Sequence, residues 1–188
     1  MDYLLPGPGF GGSYLPKDLN AIRQLAREHD VSTPLFDAIA TSNSNQLEEA
    51  YLWMESCLQK PLNEQTILLL GISHKTNTST LTQSPGVLFY KRLLADDCSV
   101  AAYDPNVDIK TLKNMMDSPS KDLSLIPSLE GLKDYALSSA DVVIMVHPTL
   151  SLHDCLPILR AKPSLLMFDL RGSWRNDITL PNYFSFFV

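Results

Sequence analysis

The sequence predicts an α/β protein in which a helical region built on one long helix is followed by a doubly wound parallel sheet. Two observations carry this. Between positions 15 and 58 apolar residues recur every three or four places, the period of helices that bury one face. From Thr66 onward, short uninterrupted apolar runs alternate with helical stretches, as parallel strands covered on both faces require. The change of rhythm divides the chain into residues 1–62 and 63–188.

The chain opens on a glycine-rich loop, Gly7-Pro8-Gly9-Phe10-Gly11-Gly12, whose glycines suit a backbone that needs positive φ. Pro16 then fits a first helical turn, where its missing N–H costs nothing. Leu15, Leu19, Ile22, Leu25 and His29 share one face, which predicts a helix over 15–29 that Asp30 closes. After Pro34, a stripe of Phe36, Ile39, Asn43, Leu47, Ala50, Met54 and Leu58 marks a helix of about six turns, stopped by Pro61. Tyr51 and Trp53 widen its apolar surface beyond what one short helix covers, so the segment 35–60 is expected to pair with a second copy of the chain. Asn43 interrupts the stripe and should face the core or that partner.

Strands are predicted at Ile67–Ser73, Val100–Tyr103, Val142–Val146 and Leu165–Leu170, with helices near 85–95, 130–139 and 153–161. The polar, Met/Ser/Lys-rich stretch 105–127 reads as an irregular surface excursion, and Tyr103-Asp104-Pro105 as an ordinary turn. His147 and His153, near a strand's C-terminal end, could face the cleft, but no carboxylate at triad spacing supports catalysis, and both are assigned surface roles.

Charge and composition exclude several classes. A net charge of −6 without a basic run argues against a nucleic-acid surface. Cys57, Cys98 and Cys155 are far apart, with neither a CxxC pair nor zinc-ligand spacing, as expected of a reducing cytoplasm. The apolar runs fall well short of the roughly 20 residues of a membrane helix, and Met1-Asp2-Tyr3 does not open like a signal peptide.

The glycine loop satisfies GxGxxG, but only six residues precede it and a second helix follows the first, so a dinucleotide fingerprint is not expected here. The longer run from Pro6 to Asp18, Pro-Gly-Pro-Gly-Phe-Gly-Gly-Ser-Tyr-Leu-Pro-Lys-Asp, resembles the PGxGFGGSCLPKD active-site loop of the UDP-glucose/GDP-mannose dehydrogenase family. Every specified position but one fits. The likeness continues through Leu19-Asn20-Ala21, Pro34-Leu35 and Asn43 to Gln46. It resumes at Leu70-Gly71, Lys75, Asn77-Thr78, Ser84-Pro85, Tyr103-Asp104-Pro105 and Phe168-Asp169-Leu170-Arg171.

That resemblance implies a helical dimerisation region and a Rossmann-like, C-terminal nucleotide-sugar-binding domain. It also implies an NAD-dependent, four-electron oxidation of a UDP- or GDP-sugar to the uronic acid, used in polysaccharide biosynthesis. A cysteine thiolate captures the aldehyde, and water displaces it after the second hydride leaves. By the same likeness Phe10, Gly11 and Gly12 cradle the sugar, and Asp18, with Lys17 beside it, serves the catalytic water. Asn43 matches the asparagine of the dimerisation helix and is grouped with the catalytic residues. Lys75 and Arg171 contact the nucleotide sugar.

Three departures matter. The nucleophile position is Tyr14, a phenol, and phenols ionise only near pH ~10. The loop that reads GxxFKxxTxDxRxSP in the family keeps Lys75 but has His74 for the aromatic residue, Ser79 and Thr80 for the acidic ones, and Thr82 for the arginine that reaches NAD phosphates. Threonine cannot replace bidentate phosphate recognition. No strand-and-glycine NAD fingerprint occurs in the 188 residues. The expectation is therefore a cytoplasmic homodimer that binds a UDP- or GDP-sugar, binds no NAD by itself and is catalytically inactive alone. Two alternatives stay open: a structural dimer without ligand, and one half of a split, active dehydrogenase.

Overall fold

A computed structural model describes residues 6–116 and 123–187; residues 1–5, part of the segment read above for a signal sequence, and 117–122 of the excursion lie outside them. Two helices, α1 (Leu15–Glu28) and α2 (Pro34–Cys57), form an antiparallel hairpin tied by Arg23 Nε to Asp37 Oδ1 at 2.6 Å. Both have in their first turn the proline read as a helix opener, Pro16 second in α1 and Pro34 first in α2. Asp30 adopts φ 55° between them, the left-handed residue that ends a helix. The long helix stops at Cys57, before Pro61, and a single 3-10 turn, Leu62–Glu64, leads into the sheet.

Six parallel strands follow: β1 (Thr66–Leu70), β2 (Ser99–Tyr103), β3 (Ser124–Leu125), β4 (Val142–Met145), β5 (Leu166–Asp169) and β6 (Tyr183–Ser185). Their order is β3-β2-β1-β4-β5-β6, the doubly wound arrangement. Between them run α3 (Pro85–Ala95), α4 (Ile109–Met115), α5 (Leu129–Ser138) and α6 (Leu152–Ala161). Each carries an N-cap whose side-chain oxygen accepts a backbone N–H: Ser84 from Gly86, Asp108 from Thr111, Ser128 from Gly131 and Ser151 from Asp154.

The four predicted strands are present, with ends shifted by up to three residues: β1 and β2 begin one residue earlier, and β1, β4 and β5 end sooner. The stretch 105–127 is corrected: it contains α4 and β3, because Asp108 caps a helix whose Leu112 is fully buried despite the polar surroundings. The edge strand β6 was not expected, since its half-buried Tyr-Phe-Ser run lacks a continuous apolar pattern.

Side chains alternate across the sheet into two cores. Ile67, Leu69, Val100, Ala102, Ile144 and Phe168 meet α3, α4 and the second half of α2. Leu68, Leu70, Val143, Met145 and Met167 meet α5 and α6. The long helix is thus half in the sheet core: Ala50, Tyr51 and Met54 are buried, and Trp53 stands edge-on to Phe168 with centroids 5.4 Å apart. Tyr51 donates to Asp96 Oδ2 at 2.6 Å beneath the Arg92 guanidinium, which locks α2 to α3.

The first helix behaves otherwise. Its expected stripe is open, with Leu15, Ile22 and Leu25 exposed, and Val31, Leu35 and Ile39 continue the apolar surface onto α2.

Candidate functional site

Strand order reverses direction between β1 and β4, and the crevice beyond their C-terminal ends is where open parallel sheets hold ligands. A cavity of about 1100 Å³ lies there. The glycine loop, the first half of α2, the loop after β1, the residues after β4, and Arg171 after β5 all contribute to it.

The glycine loop is held by backbone bonds that side chains larger than hydrogen would prevent. Gly9 and Gly12 take φ 107° and 88°. The Gly12 N–H donates to the Thr82 carbonyl at 3.1 Å, and a Cβ on Gly11 would collide with the Gln83 carbonyl. Asn43 grips the loop from α2: its Oδ1 accepts from Phe10 N at 2.6 Å and its Nδ2 donates to Phe10 O at 3.1 Å. The interruption in the α2 stripe thus reads the loop's backbone. Arg171 closes the other side, donating from Nε to Pro6 O at 3.2 Å. Its own turn is set by Asp169, which accepts from Arg171 N, Trp174 N and Tyr183 OH.

Of the residues singled out from sequence, Phe10, Gly11, Gly12, Tyr14, Asn43, Lys75 and Arg171 line this one cavity. Tyr14 is 78% exposed at its rim, at the start of α1. Lys17 and Asp18 lie exposed on the first turn of α1, outside the lining residues. Thr82 is exposed too, and its contribution is the carbonyl that holds Gly12. That position therefore presents no cation to a phosphate. No cysteine lines the cavity, and burial, then the charges of Asp169 and Asp154, push the Cys155 thiol up to about 12, which keeps it protonated.

One assignment is overturned. His147 is 3% exposed and lines the cavity, so it has no surface role. A carboxylate does reach it: Asp104 Oδ2 is 3.7 Å from Nε2. Asp104 is more than a turn residue, since it is buried and accepts from Ile72 N, Ser73 N, Ser73 Oγ and Asn106 N, which fixes the loop after β1. The place of His147 directly after a central strand allowed it to face the cleft, as it does, but gave no sign of the Asp104 carboxylate or of its burial. His153 is exposed, as expected.

A doubly wound parallel sheet whose switch-point crevice is lined by Lys75 and Arg171 defines a Rossmann-like α/β protein. Comparison with known proteins narrows this. Residues 1–45 match the sequence model of the UDP-glucose/GDP-mannose dehydrogenase family, central domain. GDP-mannose 6-dehydrogenase of Pseudomonas putida is 31% identical over 147 residues, 76% of this chain and 32% of that protein. UDP-glucose 6-dehydrogenase of Rickettsia conorii is 32% identical over 105 residues, 56% and 24% of the two chains. In fold, the chain superposes on the GDP-mannose dehydrogenase of Pseudomonas aeruginosa with a TM-score of 0.77 at 24% identity, covering 97% of this chain and 41% of that one. The chain belongs to the UDP-glucose/GDP-mannose dehydrogenase family, and it spans about a third of the length of the curated relatives it matches.

Among the described residues no helix is long and apolar enough to cross a membrane, and no cluster of His, Cys, Asp and Glu is arranged to hold a metal.

Proposed function

We propose that the chain is the substrate-binding and dimerising portion of a nucleotide-sugar 6-dehydrogenase of polysaccharide biosynthesis. It binds a UDP- or GDP-sugar in the crevice, and as these 188 residues it does not carry the oxidation through to the acid. The observation that carries the reading is the charge of the cavity. Lys75 and Arg171 line it, no carboxylate does among the described residues, and the chain around it has a net charge of −6. Such an inversion of sign suits a diphosphate, and Arg171 is held by Asp169 and Pro6 in a fixed place to meet it. The absence of full oxidation rests on Tyr14: the position that would have to capture an aldehyde and then release it to water carries a phenol. The resemblance brings NAD into the complete reaction, but Thr82 gives its phosphates no cation, so these residues alone bind none.

Calorimetric titration with UDP-glucose and with GDP-mannose tests this. Saturable heat is expected with at least one of them, and Arg171→Ala should weaken that affinity by about ten- to a hundredfold, as loss of a hydrogen bond to a charged group does. No heat at millimolar ligand would overturn the reading.

The open apolar face of Leu15, Ile22, Leu25, Leu35 and Ile39 supports assembly of two copies through the α2 segment, in the cytoplasm where such precursors are made. Light scattering should give twice the chain mass for the native sequence and the single-chain mass for Ile39→Glu. A monomeric native chain would rule this assembly out.

A further inference from the structure

The buried histidine of the crevice has a fixed protonation pattern. His147 Nε2 lies 2.9 Å from the Ser73 backbone oxygen. A carbonyl can only accept, so Nε2 carries the ring hydrogen. The nearby Ser73 Oγ, 3.2 Å away, offers that hydrogen a second acceptor while its own proton goes to Asp104 Oδ2 at 2.7 Å or to the Lys75 carbonyl at 3.0 Å. The ring packs flat against Gly71, where a Cβ would meet its Cδ2, Nε2 and Cε1 at 2.8 to 3.0 Å, and it cannot turn freely.

Burial disfavours the imidazolium, and Arg171 and His74 add to this, while Asp104 and the Ser73 carbonyl oppose it; the balance lies below the ordinary value of 6.5. A neutral ring with hydrogen on Nε2 leaves Nδ1 as a lone pair. That lone pair has no donor among the described residues, in a side chain 97% of whose surface is covered. Buried acceptors are rarely left so, and each costs about 1–3 kcal/mol.

The chemistry of the missing partner follows. It must present a proton, and it must reach a residue that lines the ligand cavity. A diphosphate at neutral pH has only acceptor oxygens and would repel the lone pair. The charged part of the ligand is served by Lys75 and Arg171. The remaining donors are the hydroxyls of the ribose and of the glycosyl ring and the N–H groups of the base, and of these the glycosyl ring is the part that the glycine loop of the same cavity would cradle.

We propose that His147 is a specificity-determining residue of the crevice, whose Nδ1 accepts a hydrogen bond from a hydroxyl of the glycosyl group of the bound nucleotide sugar. This rests on the nucleotide-sugar reading above and adds the residue that tells the sugar from the bare nucleotide. Seating the hydroxyl takes a small outward shift of the ring edge, with Nε2 remaining on Ser73.

Two measurements test it on the 188-residue chain. In the first, protein labelled with ¹⁵N in its histidine rings is titrated with UDP-glucose, GDP-mannose, UDP and GDP. Without ligand, His147 should show the neutral form with hydrogen on Nε2. Saturation with the nucleotide sugar that binds should shift Nδ1 as a lone pair gaining a hydrogen bond does, and the matching nucleoside diphosphate should leave it in place. In the second, His147→Gln keeps a donor for the Ser73 carbonyl but carries its acceptor oxygen away from the place of Nδ1. Its affinity for the nucleotide sugar should fall about tenfold, with that for the nucleoside diphosphate unchanged.

Equal losses for both ligands, or a sugar that binds without moving Nδ1, would overturn the assignment while leaving nucleotide-sugar binding intact. Absence of binding by any of the four ligands would remove both.

Discussion

Asp169→Ala should lower the thermal midpoint by roughly 10 °C and abolish nucleotide-sugar binding. The Asp169 carboxylate is fully buried at the end of β5. Its Oδ1 accepts from Arg171 N at 2.9 Å, and its Oδ2 accepts from Trp174 N at 3.2 Å and Tyr183 OH at 2.7 Å. Alanine would strand three donors at once, two of them in backbone that cannot turn elsewhere. Unpaired buried donors and the loss of charge-assisted bonds together cost about 3–4 kcal/mol, and in a chain of this size each kcal/mol moves the midpoint by roughly 2–4 °C. The turn that carries Arg171 would lose its anchor, and β6, which Tyr183 opens, would lose a side-chain bond to β5 while keeping its backbone pairing. Asp169→Asn should recover part of the loss, because one oxygen remains to accept. Scanning calorimetry decides the matter: a midpoint within about 2 °C of the native value would show that this carboxylate does not hold the turn.

Gly11→Ala should act in the opposite way, removing binding with little effect on the global midpoint. A Cβ there would overlap the Gln83 carbonyl oxygen and lie 2.9 Å from its carbon and 3.0 Å from Pro85 Cδ. All of these belong to the rigid start of α3, so the loop must move. Moving it pulls against the Gly12 to Thr82 and Phe10 to Asn43 bonds that shape one wall of the cavity. The loop lies outside both hydrophobic cores, so the fold should unfold as before. Affinity for the nucleotide sugar should fall at least about tenfold, the effect of losing one or two positioned hydrogen bonds. Gly7→Ala is the control: its Cβ would meet only Arg171, at ordinary contact distances of 3.7 and 3.9 Å, and affinity should hold. Equal affinity of the native and Gly11→Ala chains would mean that the loop does not shape the ligand's place.

The central strands were legible because β1, β4 and β5 are covered on both faces and so leave an uninterrupted apolar run. The edge elements were not. Leu112 is a single buried residue in a polar stretch, and β3 pairs over two residues, so neither leaves a period to read. In the crevice, the glycine loop, Lys75 and Arg171 could be named because a long local motif records them. For His147 only the position at a strand's end was legible; its burial was not, since that comes from residues more than 70 positions away that reach it only when β4 lies beside β1. Asn43 was half legible: its break in the apolar stripe was visible, but its partner, the Phe10 backbone, carries no side-chain signal.

The bond from Arg171 to Pro6 spans 165 positions. A chain leaving the ribosome therefore exposes its glycine loop long before the residue that pins it has been made, and contacts so remote in sequence form late. Premature termination anywhere ahead of Arg171 would yield polypeptides that keep every loop residue yet hold that segment untethered, so a ligand added to stalled nascent chains offers a timer for completion of the crevice.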